Sequence, residues 1–265
     1  MADEPEQSAA GGKPRGRRRS ESGEAIRQKI KAVATDMFIR HGYNGVTFLE
    51  LSKVLDINHS LIHYHFGTKA ALATEVLKDF AERGIRENEA IWTSPTLSLF
   101  DKFVEARDRM YRRFVLFNQS GGEVQHPTGL VSRFAMDSES LTPDLREIVK
   151  HTHQQLDNCV VQAVRIAIAR GELAEDAPVQ FIMLQISSIL FVAGPSARYG
   201  WEFSRLDQHF QAALTAILRA YGVGKKAVPA WPAFRRLAEK PSGPAAPAEE
   251  PRKRRRAPAK AQQPA

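Results

Sequence analysis

The sequence predicts an all-α protein, and three observations lead there. Apolar residues recur at steps of three and four along most of the chain between residues 24 and 221. Thr, Asn and Pro stand where helices would start, and Gly stands where they would stop. No run alternates apolar and polar residues over five or more positions between turn signals. With 265 residues, 43% of them apolar, the chain suits one or two domains with a sizeable core.

Residues 1–21 are rich in Gly, Pro, Ser and charge without periodicity, and read as a disordered basic N-terminal arm carrying the run Lys13-Pro14-Arg15-Gly16-Arg17-Arg18-Arg19. Ile26, Ile30, Val33, Met37 and Phe38 then line one face of a helix near 24–41, which Gly42 ends as a C-cap glycine would. Thr47-Phe48-Leu49-Glu50 is a capping box: the threonine oxygen covers a free amide while Glu50 reaches back. Phe48, Leu51 and Leu55 give that short second helix its apolar face. It must stop near Asp56, because Asn58 is an N-cap for a third helix two residues on. Gly67-Thr68 closes the third helix and caps a fourth, whose apolar face is Leu72, Val76, Leu77 and Phe80.

The remainder continues in kind. Leu97 to Asn118 is one long amphipathic helix, Gly121 to Gly129 a loop, and Pro143 opens a helix to about Ala169 that Gly171 stops. Pro178 to Ala193 is a strongly apolar helix ended by Gly194-Pro195, and Leu206 to Tyr221 is the last helix before Gly222. Residues 223–265 read as a basic disordered tail that includes Arg252-Lys253-Arg254-Arg255-Arg256; Trp231 and Phe234 are its candidates for docking on the body.

Composition excludes several classes. One cysteine, Cys159, rules out a disulfide framework or a cysteine-based zinc site. Met1-Ala2-Asp3-Glu4 is unlike a signal peptide, and the apolar stretch from Phe181 to Gly194 is too short to span a bilayer. A cytoplasmic protein without a membrane segment is expected. Of the 38 Lys/Arg and 30 Asp/Glu, 11 and 3 fall in 223–265, which leaves 27 of each in 1–222. The formal charge of +8 therefore lies in the tail, and overall pI says little about what the body binds.

Local pattern says more. Residues 46–66 hold two short helices separated only by Asp56-Ile57, too little chain for an antiparallel hairpin, so the helices cross steeply as in a helix-turn-helix. The second, roughly eight residues and about 12 Å long, is unstable alone. Ile62 and Phe66, one turn apart, pin it to its neighbours. Its other faces carry His59, Ser60, His63 and Tyr64, polar or aromatic and free of carboxylates, which suits a DNA major groove. Lys69 sits against the helix dipole just after the Thr68 cap; free amides plus a lysine make a phosphate-binding corner, to which Thr47 adds a second contact.

On these residues the segment 24–85 resembles the N-terminal domain of the TetR family of transcriptional regulators. The likeness runs from Phe38 and Gly42-Tyr43 through Val46-Thr47, Leu51-Ser52, Ile57-Asn58 and Ile62-His63-Tyr64-His65-Phe66 to Gly67-Thr68-Lys69 and Leu72, without a gap from Thr47 to Lys69. Asp56 stands where the family usually has glycine; Leu55 and Ser52 replace two alanines, Leu61 a small Ser or Thr, and His63 a common tyrosine. The resemblance implies a three-helix DNA-binding domain over 22–86, joined through the fourth helix to a helical effector-binding and dimerisation domain over 87–222. It also implies a double-stranded DNA operator, near-palindromic and held by a homodimer, a small-molecule effector that releases it, and no cofactor. DNA-contacting candidates are Thr47, Asn58, His59, Ser60, Leu61, His63, Tyr64 and Lys69, with Arg17, Arg18 and Arg19 as an arm. Effector-pocket candidates are Trp92, Arg133 and Gln185, and about 178–193 and 206–221 are the dimer elements.

Other readings remain open. His59 and His63 at i, i+4 have metal-ligand spacing, but no carboxylate or cysteine joins them, and no metal is expected. No nucleophile elbow, phosphate loop or paired-carboxylate motif asks for an enzyme. The arginine runs grip phosphates, attract RNA or lipid non-specifically, or only solvate the tails. A constitutive nucleoid-type binder driven by those tails is the first alternative to a regulator, and a helical enzyme is the second.

Overall fold

The computed structural model describes residues 15–118, 129–198, 203–224 and 228–233. They form helices α1 (Arg15–His41), α2 (Phe48–Leu55), α3 (His59–Phe66), α4 (Lys69–Trp92), α5 (Leu99–Asn118), α6 (Leu130–Met136), α7 (Pro143–Ala169), α8 (Val179–Arg198) and α9 (Phe203–Tyr221), with a 3-10 turn at Ser138–Ser140. Among the described residues the only β pairing is an isolated bridge between Leu173 and Gly222.

The caps fall where the sequence puts them. Thr47 Oγ1 accepts from Glu50 N at 3.2 Å while Thr47 N donates to Glu50 Oε2 at 2.9 Å. Asn58 Oδ1 accepts from Ser60 N at 2.8 Å. Asp56 ends α2 in the left-handed region at φ 52°, a conformation Asp tolerates better than most residues.

Three elements differ from expectation. α1 begins at Arg15, so Arg17, Arg18 and Arg19 lie within it and not in a disordered arm. Apolar spacing could not find that start, because no apolar residue lies between Arg15 and Gly23. α8 runs on through Gly194-Pro195 to Arg198. A proline removes one backbone hydrogen bond and disfavours a helix without forbidding it, and buried Ile182, Ile186 and Leu190 hold the helix up to that point. α6 was not expected at all; its signal is only Leu130 and Phe134 one turn apart, both fully buried. The expected loop at 121–129 lies outside the described residues, except Gly129.

Two apolar clusters organise the packing. The first joins α1–α3 and the start of α4 to Leu130, Phe134, Leu141, Leu145 and Val149 of the α6–α7 region. The second gathers Trp92, α5, the later part of α7, α8 and α9. α4 and α7 run through both. The helix-turn-helix thus shares its core with α6 and α7, across the sequence boundary expected at 86/87. Trp231 packs on the second cluster: its Nε1 donates to Asp207 Oδ1 at 2.7 Å, Phe100 lies edge-on at 5.8 Å, and Arg107 Nη1 donates to Pro232 O at 2.7 Å. Residues 228–233 are therefore docked, which corrects a wholly disordered tail; Phe234 and the arginine run at 252–256 lie outside the described residues.

Candidate nucleic-acid interface and effector cavity

The third helix sits where its apolar residues dictate. Ile62 is fully buried and Phe66 nearly so, while Asn58, His59, Ser60, His63 and Tyr64 face solvent, Tyr64 with 83% of its surface exposed. Leu61 is half-buried and Thr47, at the start of α2, is exposed. Arg27 on α1 holds the far end of α3: its Nη1 donates to His65 O at 2.7 Å, its guanidinium covers the Phe66 ring at 4.5 Å, and it pairs with Glu75 on α4. A cation on the last carbonyls of a helix meets the negative end of its dipole and is favourable there. Nothing in the local sequence marks Arg27 for this role.

The rings on the exposed face are ordered against each other. His63 lies edge-on to Phe48 at 4.8 Å and to His59 at 4.5 Å. His63 Nδ1 is 3.0 Å from Gly67 O; a carbonyl only accepts, so Nδ1 carries the proton and Nε2 is the ring nitrogen left for a partner. Among the described residues no group of three or more His, Cys, Asp or Glu is placed to hold a metal ion.

Lys69 is less free than a bare phosphate ligand. Its Nζ donates to Tyr43 O at 3.0 Å and lies 4.5 Å from the centroid of the Tyr43 ring. Burial lowers its pKa, with Glu50 acting in the opposite sense. An ammonium has three donors, so two remain beyond the Tyr43 bond. Gly42 explains the closeness of the turn: it takes φ +75°, and any Cβ there would fall on Asp137 and Arg133 of the α6 region.

A cavity of about 110 Å³ lies between the two cores, walled by α4, α5, α7 and α8 and closed in part by Gly129, Val131 and Ser132. None of the three residues expected from sequence lines it. Trp92 is fully buried in the second cluster, edge-on to Phe103 at 5.7 Å, and its Nε1 has no hydrogen-bond partner among the described residues. Arg133 is buried beside Gly42, paired to Asp137 at 3.3 Å. Gln185 is half-buried on α8, one position off the buried row Ile182, Ile186 and Leu190. The residues that do supply charge were missed: Arg109 and Arg113 on α5 both donate to Glu87 Oε2, at 2.7 and 2.9 Å. Burial, followed by the neighbouring Arg109 charge, pushes Arg113 down to about 10. Burial raises Glu87, but the Arg109 hydrogen bond and the surrounding arginine charges outweigh it and hold the carboxyl below its usual range.

Residues 30–76 match the family described as bacterial regulatory proteins, tetR family. That match covers the helix-turn-helix and the helices that flank it, so the likeness in sequence is to the family's N-terminal part alone. Over 52 residues it is 38% identical to the HTH-type transcriptional regulator QacR of Staphylococcus aureus, a match covering 20% of this chain and 28% of QacR. The fold over 77% of this chain is similar to all of a TetR transcriptional regulator from Chloroflexus aurantiacus, with TM-score 0.61 and 20% identity. It is also similar to the TetR-family regulator CifR, solved as a cysteine mutant with 26-bp double-strand operator DNA, with TM-score 0.58 and 22% identity over 71% of this chain and 95% of that one. The TetR-type likeness is thus carried by sequence in the first part of the chain and by architecture in the rest.

Proposed function

We propose that this protein is a ligand-responsive transcriptional regulator, a repressor that binds a near-palindromic operator as a homodimer and leaves it when a small effector enters the α4–α8 cavity. The carrying observation is α3: an eight-residue helix seated by Ile62 and Phe66 with His59, Ser60, His63 and Tyr64 turned to solvent. So short a helix makes few base contacts, and two half-sites are needed for useful specificity. In this reading Thr47 and Lys69 contact phosphates, Asn58, His59, Ser60, Leu61, His63 and Tyr64 face the major groove, and the first turns of α1, which include Arg17, Arg18 and Arg19, add contacts to the DNA backbone.

Dimerisation is supported by α8, which leaves Phe181 and Leu184 one turn apart and more than half exposed, a placement that favours burial against a second copy. Among the described residues no helix is long and apolar enough to cross a membrane, in keeping with a nucleoid-associated cytoplasmic regulator. Effector binding would shift α4, which bears Lys69 at one end and Phe80, Gly84 and Asn88 on the cavity wall, and so alter the separation of the two reading helices.

Selection of bound fragments from random DNA tests the reading. A two-fold symmetric consensus is expected, and a full-length dimer that selects none overturns it. Deleting residues 1–14 and 234–265 discriminates against a tail-driven binder: the regulator keeps its operator preference, whereas the tail-driven protein loses nearly all affinity.

A further inference from the structure

We propose that the α4–α8 cavity binds a small carboxylic acid, its carboxylate seated on Arg113 and its apolar body against Phe80, Met110 and Leu156. The inference rests on the ligand-responsive reading above and names the chemistry of the ligand.

Charge balance comes first. Arg109 and Arg113 face a single carboxylate, Glu87, so this pair keeps positive charge in excess at the wall of a space whose other lining residues are apolar or neutral polar side chains and His153, with Arg83 close enough to act on the same cluster. Arg109 spends Nε and Nη2 on Glu87. Arg113 donates through Nη2 alone, so among the described residues its Nε and Nη1 hold no partner, out of five N–H donors in the guanidinium. The Phe80 ring at 5.4 Å holds the Arg113 head over the cavity, beside Gly129. An anion with two coplanar oxygens satisfies that geometry and removes the excess charge; a cation would add to it, and a neutral ligand would leave it.

Size and polarity narrow the class. A cavity of about 110 Å³ is of the order that takes a single benzene ring, so one ring or a short acyl chain fits. His153, the other ionisable nitrogen on the wall, packs tilted against the Phe191 ring at 4.4 Å; burial lowers its pKa against the pull of Asp157, so near neutral pH it offers a neutral hydrogen-bonding edge and not another cation.

The test is titration calorimetry of the full chain with benzoate, benzamide and benzylammonium, three ligands of one shape and different charge. Benzoate should bind about 10-fold or more tightly than benzamide, and benzylammonium most weakly. In Arg113→Gln the benzoate advantage should vanish while benzamide is unchanged. Benzamide or benzylammonium matching benzoate, or no heat from benzoate up to about 10 mM, overturns the proposal; the wild-type series decides even if the variant fails to fold. Operator selection on the same preparation separates the two claims. An operator without anion preference ends this inference alone, and anion preference without an operator ends the regulator reading alone.

Discussion

The backbone N–H of Tyr43 donates to Asp137 Oδ2 at 3.1 Å, a bond between residues 94 apart in sequence. The carbonyl of the same residue accepts from Lys69 at 3.0 Å. The two peptide groups that flank Tyr43 in the turn after α1 are therefore held from two sides, by the residue that ends α6 and by the first residue of α4. Phe134 reinforces it edge-on, at 6.0 Å from the Tyr43 ring and 5.5 Å from Phe38. α6 also contributes Val131 and Ser132 to the cavity wall, so a displacement of α6 would act on Tyr43 through Asp137 and Phe134.

Asp137→Ala should cost about 1–3 kcal/mol of stability, since it strips a partner from the Tyr43 amide and from the buried Arg133 guanidinium. Urea denaturation measures the loss. If α6 couples cavity to DNA, the variant should also blunt effector release more than it weakens operator affinity, as competition binding would read.

Lys69→Ala should weaken binding to all DNA sequences alike and lower the salt slope by about 1, because a phosphate contact carries no sequence information. His63→Ala should instead relax choice at particular base pairs, through loss of the outward Nε2 edge. Titrations against operator and random duplex at several salt concentrations separate the two. Unchanged operator affinity in both variants would place the interface elsewhere.

Trp231→Ala should destabilise by about 1–2 kcal/mol, through the lost bond to Asp207 and the lost packing on Phe100 and Arg107. Deletion of 228–265 should cost at least as much, and deletion from 234 onward almost nothing. Thermal melts of the three proteins order them directly.

Burial depresses the His153 pKa in the folded state. Below the unfolded value near 6.5 the unfolded chain takes up the proton more readily than the fold does, so this residue's contribution is favourable above that pH and is lost as pH falls through the folded value. Wild-type Tm should therefore drop more steeply as pH falls below about 6.5 than that of His153→Gln. Parallel slopes would show that His153 titrates as a solvated residue.

What could be read from sequence was local. Thr47 with Glu50, Asn58, Asp56 and Thr68 act within four residues of themselves, and the alternation that seats Ile62 and Phe66 while turning His63 outward is a property of one helix. What could not be read depends on which elements meet. Arg27 reaches the end of α3 across 38 residues, and Arg109 and Arg113 converge on Glu87 from another helix. Trp92 and Gln185 were chosen for residue type, and residue type does not tell which side of a helix faces a cavity. Arg133, expected in the effector pocket, is instead buried at the junction with Gly42 and paired to Asp137.

The apolar cluster that runs from Ile30 to Val149 limits how this chain can be cut. A fragment ending after α4 would bare the side chains that Phe134, Leu141 and Leu145 cover, and should aggregate. Chimaeras that transplant its operator preference onto another sensor need their splice point after residue 149, with α6 travelling alongside the head it supports.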